Sequence, residues 1–168
     1  MKRGRVKRLV FGSSGTIAGT VYGTIVVMAT VTAGAHGKET DAGRLAVVVG
    51  VTSLVFWAAH VYSDALAESL ERGRRLDLAE LADVARRELS IPAAAVAPVA
   101  ALVLGALGVL GVQTALWLAV GIGVATLGVQ GARYAALEQL DRTATVAVIA
   151  VNLCLGLVIV GLKALLAH

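Results

Sequence analysis

The residues in this sequence best equipped for chemistry lie in one short stretch, Phe56-Trp57-Ala58-Ala59-His60-Val61-Tyr62-Ser63-Asp64-Ala65-Leu66-Ala67-Glu68. His60, Asp64 and Glu68 are four residues apart, which on a helix places an imidazole and two carboxylates on one face. Trp57 lies above them and Glu71 below. An imidazole with two carboxylates suits a divalent transition metal, with His60 and Asp64 as first ligands, and equally a proton relay. The plainer alternative is that Asp64 and Glu68 are hydrated and that His60 is neutral and hydrogen-bonded to a neighbouring helix.

The element that must hold these residues is strongly apolar. Of the 168 residues, 58% are hydrophobic and only 15% charged, against about 25% charged in soluble domains. Mean hydropathy is +0.83. The apolar residues form long runs, and a span needs about 20 of them. Five runs qualify, at 9–32, 45–67, 93–111, 114–136 and 143–166, so the expected fold is an all-α integral membrane protein, a five-transmembrane-helix bundle in a single domain over 1–168. His60 then sits about seven residues, or ~10 Å at 1.5 Å per residue, inside one end of the second span. An ionisable group there is a functional hypothesis by default. The third and fourth spans are nearly contiguous, which calls for a tight hairpin at Gly111-Val112-Gln113.

Lys and Arg set the orientation. Lys2, Arg3, Arg5, Lys7, Arg8, Arg72, Arg74, Arg75, Arg86, Arg87, Arg133 and Arg142 fall on one side, against Lys38, Arg44 and Lys163 on the other. This puts the N-terminus in the cytoplasm and the C-terminus outside, in a multi-pass protein of the cell inner (plasma) membrane. The pI near 9.6 does not indicate nucleic acid, because these bases flank apolar segments and form no separate face. The basic start and Ala33-Gly34-Ala35 resemble a secretory signal, but the apolar stretch is too long for a signal core of 7–15 residues; an uncleaved first span is expected.

Between spans two and three, Leu78, Leu81, Ala82, Ala85 and Leu89 make one stripe at helical spacing, with Asp77, Glu80, Arg86, Arg87 and Glu88 away from it. A short cytoplasmic amphipathic helix over about 76–90, stopped by Pro92, is expected. It could lie on the inner leaflet or pack on the cytoplasmic end of the bundle. His36 to Gly43 reads as a short polar outer loop.

The first span has Gly12, Gly15, Gly19 and Gly23 along one face, a spacing that lets helix backbones approach closely. Ser13, Ser14, Thr16, Thr20, Tyr22 and Thr24 are interleaved. This is either a tight packing helix or one wall of a polar path in which Ser14 and Thr16 join His60, Asp64, Glu68 and the mid-span Asn152. An amide placed like Asn152 normally bonds across helices. Gln130, Arg133 and Tyr134 read as interfacial anchors, Trp117 as an aromatic-belt residue, Pro98 as a helix-geometry residue, and Cys154 as a small buried hydrophobe. There is no Ser/His/Asp constellation, no zinc-type Cys/His spacing and no phosphate loop, so no enzyme is indicated and no cofactor beyond a possible divalent metal ion.

Five spans, a basic tail, a helical insert after span two and the entry Leu9-Val10-Phe11-Gly12-Ser13-Ser14-Gly15 resemble the vacuolar iron transporter superfamily, with a looser likeness at Tyr62-Ser63. The resemblance implies a homodimer that exports divalent iron or manganese in exchange for protons. The ligands it implies are an Asp in the first span and Met and Glu in the second; here the first span has no acid and the second no Met. The Trp57-to-Asp64 stretch also looks like small membrane proteins of high-GC bacteria. The expected function is therefore a small cation transporter or channel, divalent-metal or proton-coupled, with a non-transporting membrane scaffold or partner subunit as the alternative. The lipid bilayer and a second copy are the expected partners.

Overall fold

The computed structural model describes residues 14–35 and 40–166, the side chains of Ser14, Val160 and residues 162–166 excepted. Those residues form six helices: α1 (Ser14–Gly34), α2 (Ala42–Arg72), α3 (Leu78–Arg87), α4 (Ser90–Ala106), α5 (Val112–Glu138) and α6 (Arg142–Leu166). No strand occurs among them. Helices α1, α2, α5 and α6 are each long and apolar enough to cross a membrane, and α3 with α4 form a pair bent by 48° that passes the same criterion together. The basic tail, Gly12, Ser13 and residues 36–39 lie outside the described residues.

Local chemistry explains most of the helix ends. Asp41 caps α2, its carboxylate accepting from the backbone N–H of Gly43 (2.8 Å) and Arg44 (3.1 Å). Gly73, at φ 62°, ends α2 in the left-handed region that suits a residue without a Cβ. Asp77 and Glu80 form a reciprocal capping box at the start of α3: Glu80 N–H donates to Asp77 Oδ1 (2.8 Å), and Asp77 N–H to Glu80 Oε2 (2.9 Å). Asp141 caps α6 by accepting from Ala144 N–H at 2.7 Å.

The turn between α4 and α5 falls earlier than the sequence suggested. Gly108, at φ 73°, takes the left-handed position. Val109 N–H donates to Leu104 O (3.0 Å) and Gly108 N–H to Gly105 O (3.2 Å), the two bonds of a Schellman ending. The hairpin expected at Gly111-Val112-Gln113 is thus Leu107 to Gly111, and α5 already begins at Val112. The third apolar segment shifts from 93–111 to 90–106. At 17 residues, or ~26 Å, it is short for a bilayer core of about 30 Å.

Helix α4 is the hub, packed against α1, α2 and α5, while α6 lies on α5 and α1. The core is apolar: Val27, Met28 and Val31 of α1, Leu45 and Val49 of α2, Ala95 and Leu102 of α4, and Leu116, Val120 and Leu127 of α5. Small residues permit the closest approaches. A Cβ on Gly23 would lie 3.0 Å from Ile91 Cα and 3.1 Å from its carbonyl carbon, so α1 crosses the start of α4 backbone to backbone. Gly19 faces Ser90 in the same crossing. Of the glycine stripe expected along the first span, Gly19 and Gly23 are buried in packing, Gly15 is exposed, and Gly12 lies outside the described residues.

Candidate functional site

Helix α2 is 31 residues long, about 46 Å, so its last turns project past the start of α4. His60 lies on this projecting half and is half-buried. Its ring packs on Tyr22 of α1, centroids 4.6 Å apart and planes inclined by 47°. Tyr22 in turn meets Phe56 edge-on at 6.0 Å. His60 Nδ1 is 3.3 Å from Phe56 O, one turn back. The imidazole thus packs on Tyr22 at the α1–α2 crossing, with Nδ1 near the Phe56 carbonyl.

The carboxylates have other partners. Asp64 is exposed. Glu68 is paired with Arg72, one turn on, and with Arg87 of α3 at 2.9 Å. Glu80 is paired with Arg72 (2.5 Å) and Arg74 (2.5 Å). The Arg74 hydrogen bond, then the Asp77 backbone N–H, hold the Glu80 carboxyl down at about 2. Trp57 Nε1–H donates to Ala85 O at 3.1 Å, and Val84, the residue before Ala85, is 1% exposed. Arginines 72, 74 and 87, with Trp57, therefore clamp α3 onto the projecting end of α2. His60, Asp64 and Glu68 share a helix face as the spacing requires, yet they do not converge. Among the described residues, no three His, Cys, Asp or Glu side chains are placed to hold a metal ion.

The hydroxyls of α1 also turn inward to their own helix. Thr20 donates to Thr16 O, Thr24 to Thr20 O and Thr30 to Val26 O, at 2.7, 2.7 and 2.8 Å. Thr16 is half-buried, and the Ser14 side chain lies outside what is described. Asn152 donates to Val148 O of its own helix at 3.0 Å, and its amide nitrogen would meet a Cβ on Gly131 of α5 at 3.3 Å. Its observed bond therefore runs along α6 instead of across to α5. Gln130 is buried and accepts from Arg133 Nη1 at 3.2 Å. Trp117 and Tyr134 are exposed, as belt and anchor residues would be, and Pro98 is buried inside α4. Cys154 is exposed, not buried as its type suggested, because α6 presents most of its surface outward.

Between α1 and α2 runs an open groove of about 550 Å³ lined by Val26, Ala29, Thr30, Ala33, Gly34, Val48 and Phe56. Its lining is apolar and suits hydrocarbon better than an ion. In the described interior the buried polar side chains are Thr24, Ser53 and Gln130, and no charged side chain is buried.

The α2–α3 clamp was only partly foreshadowed by sequence. The Glu68/Arg72 spacing of four and the Asp77/Glu80 spacing of three are visible signals. The Glu68–Arg87 pair, 19 residues apart, has none. The chain matches no protein-family model, no curated protein and no solved structure.

Proposed function

We propose that this chain is a non-transporting, non-catalytic scaffold or partner subunit of a membrane, with five spans, a cytoplasmic N-terminus and the α2–α3 knob on the cytoplasmic side. The observation that carries the reading is the fate of the acids. Glu68 and Glu80 each meet two arginines, Asp64 lies exposed instead of facing inward, and the described interior holds no buried charge. Taking the 17-residue α4 as a short crossing, with α3 outside that crossing, beside α1, α2, α5 and α6 gives five crossings, and the distribution of Lys and Arg supports the orientation. Reporter fusions at Leu107 and Gln139 check it: alkaline phosphatase is active at the first only. The function is tested by ion flux into proteoliposomes, where this reading expects no more than protein-free vesicles give.

A second reading, a cation transporter of the inner membrane, has one observation in its favour. His60 is half-buried at the α1–α2 crossing, with Asp64 one turn beyond it. In that reading a second copy closes the α1–α2 groove, and a divalent metal or proton passes His60. Saturable flux that is lost in His60→Ala would establish it over the scaffold reading.

A further inference from the structure

The α2–α3 knob leaves part of its apolar surface uncovered. Helix α3 has three sides. Val84 is buried against the bundle, and Glu80 and Arg87 engage the α2 end. Asp83 pairs with Arg86 at 3.1 Å on a second side, its side chain 70% exposed. The remaining side carries Leu78, 86% exposed, and Leu81; Leu89, 50% exposed, follows in the turn to α4. Leu78 is about 120° around the helix from Val84, at 3.6 residues per turn, so the contact that docks α3 does not cover it.

The α2 surface alongside is also apolar and exposed. Val47, Val51, Val55, Tyr62, Leu66 and Leu70 are all open, at spacings that keep them on one side. From Val47 to Leu70 this stripe is about 35 Å long, against a hydrocarbon core of about 30 Å. Placing the core along the stripe brings its inner edge to the level of Leu66 and Leu70, where Glu68 holds Arg87 of α3. Glu68 and Glu80 are paired with arginines at that depth, while Asp64 and Glu71 are exposed on the side of α2 opposite the stripe. Arg86, its side chain 73% exposed and paired with Asp83 at 3.1 Å, lies at the border between the leucine side and the Asp83 side, where an arginine also reaches headgroup phosphate.

We propose that α3 lies in the inner membrane–water interface, with Leu78, Leu81 and Leu89 among the acyl chains of the inner leaflet and Arg86 at the phospholipid headgroups. The occupant of the uncovered face is lipid, because α3 is tied to α2 at Trp57, Glu68 and Arg72, along the inner part of the helix whose other side carries the lipid-length stripe. The inference rests on the membrane-spanning reading above.

The test uses nitroxide labels on the full chain in vesicles of mixed zwitterionic and anionic phospholipid. With Cys154→Ser as background, single cysteines are placed by Leu78→Cys, Leu89→Cys and Asp83→Cys, with Val51→Cys as the spanning control. All are at exposed positions, so the fold is little disturbed. Collisions with oxygen, which partitions into lipid, are compared with those of a water-soluble nickel chelate. Oxygen is expected to dominate at 51, 78 and 89, and the chelate at 83. Chelate access at 78 and 89 equal to that at 83, with 51 still in lipid, overturns the interfacial placement alone. Immobilised labels at 78 and 89 that neither reagent reaches mean protein covers the face, which also overturns it. Chelate access at 51 overturns the membrane reading itself.

Discussion

Replacing Val84 with Ala probes the joint between α2 and α3 at its one fully buried side chain on α3. Two methyl groups leave a site that is 1% exposed. At about 0.8 kcal/mol per buried carbon, plus a small residual cavity, undocking α3 becomes easier by about 2 kcal/mol. With tenfold per 1.4 kcal/mol, the amides of α3 should exchange hydrogen about 30-fold faster when exchange proceeds through local opening. The protein is held in detergent or a nanodisc, and peptides covering 78–89 are followed by mass spectrometry, with α5 peptides as an internal control expected to stay unchanged. The Glu68→Gln variant gives a graded comparison. It removes the carboxylate that Arg87 uses to tie α3 to α2, a partly exposed pair worth about 0.5–1 kcal/mol, so exchange should rise only about two- to fivefold. If α3 exchanges at the parent rate in Val84→Ala, the helix is not held by this packing, and the clamp described above is wrong.

Gly23→Ala should lower the thermal midpoint in detergent, since its Cβ meets Ile91 backbone at 3.0 Å and such overpacking costs about 1–3 kcal/mol; Gly121→Ala, with nothing within 4 Å, should leave it equal or higher. Gly108→Ala should also destabilise, by about 1 kcal/mol, because φ 73° is strained for a residue with a Cβ. Acid should release α3: Glu80 titrates at about 2 instead of 4.5, so its stabilising contribution is complete above pH 4.5 and is lost as pH falls toward 2. Amide exchange in 78–89 should accelerate over that window, and Glu80→Gln should remove most of the pH dependence.

Much of the architecture was readable because it rests on local patterns. Apolar run lengths located the four helices long and apolar enough to cross a membrane, and the stripe from Leu78 to Leu89 with the Asp77/Glu80 spacing located α3. The third apolar segment ends earlier than expected because two glycines three residues apart, Gly108 and Gly111, could each end a helix. Backbone hydrogen bonding selected Gly108, and hydropathy does not register that choice. The stripe of α3 was correct as a period but silent about coverage: Val84, outside the residues the pattern picked, is the buried one. The same holds at the candidate site. Spacing puts His60, Asp64 and Glu68 on one face, yet what that face does depends on Tyr22, Arg72 and Arg87 arriving from other turns and helices. A four-residue repeat carries no information about a partner 19 residues away. Asn152 likewise satisfies its amide on Val148, and only the packing geometry decides between that carbonyl and one across the interface.

The scaffold reading stands or falls on ion movement. Purified full-length chain is reconstituted into vesicles containing a metal- and pH-responsive dye, and ferrous iron, manganese, cobalt and proton gradients are applied from pH 5.5 to 7.5. With Glu68 and Glu80 held by arginines and no charge buried in the described interior, flux should equal that of empty vesicles in every condition, for the parent and for His60→Ala/Asp64→Ala alike. Saturable flux in the parent that the double substitution abolishes would contradict the account and make His60 and Asp64 the transport site.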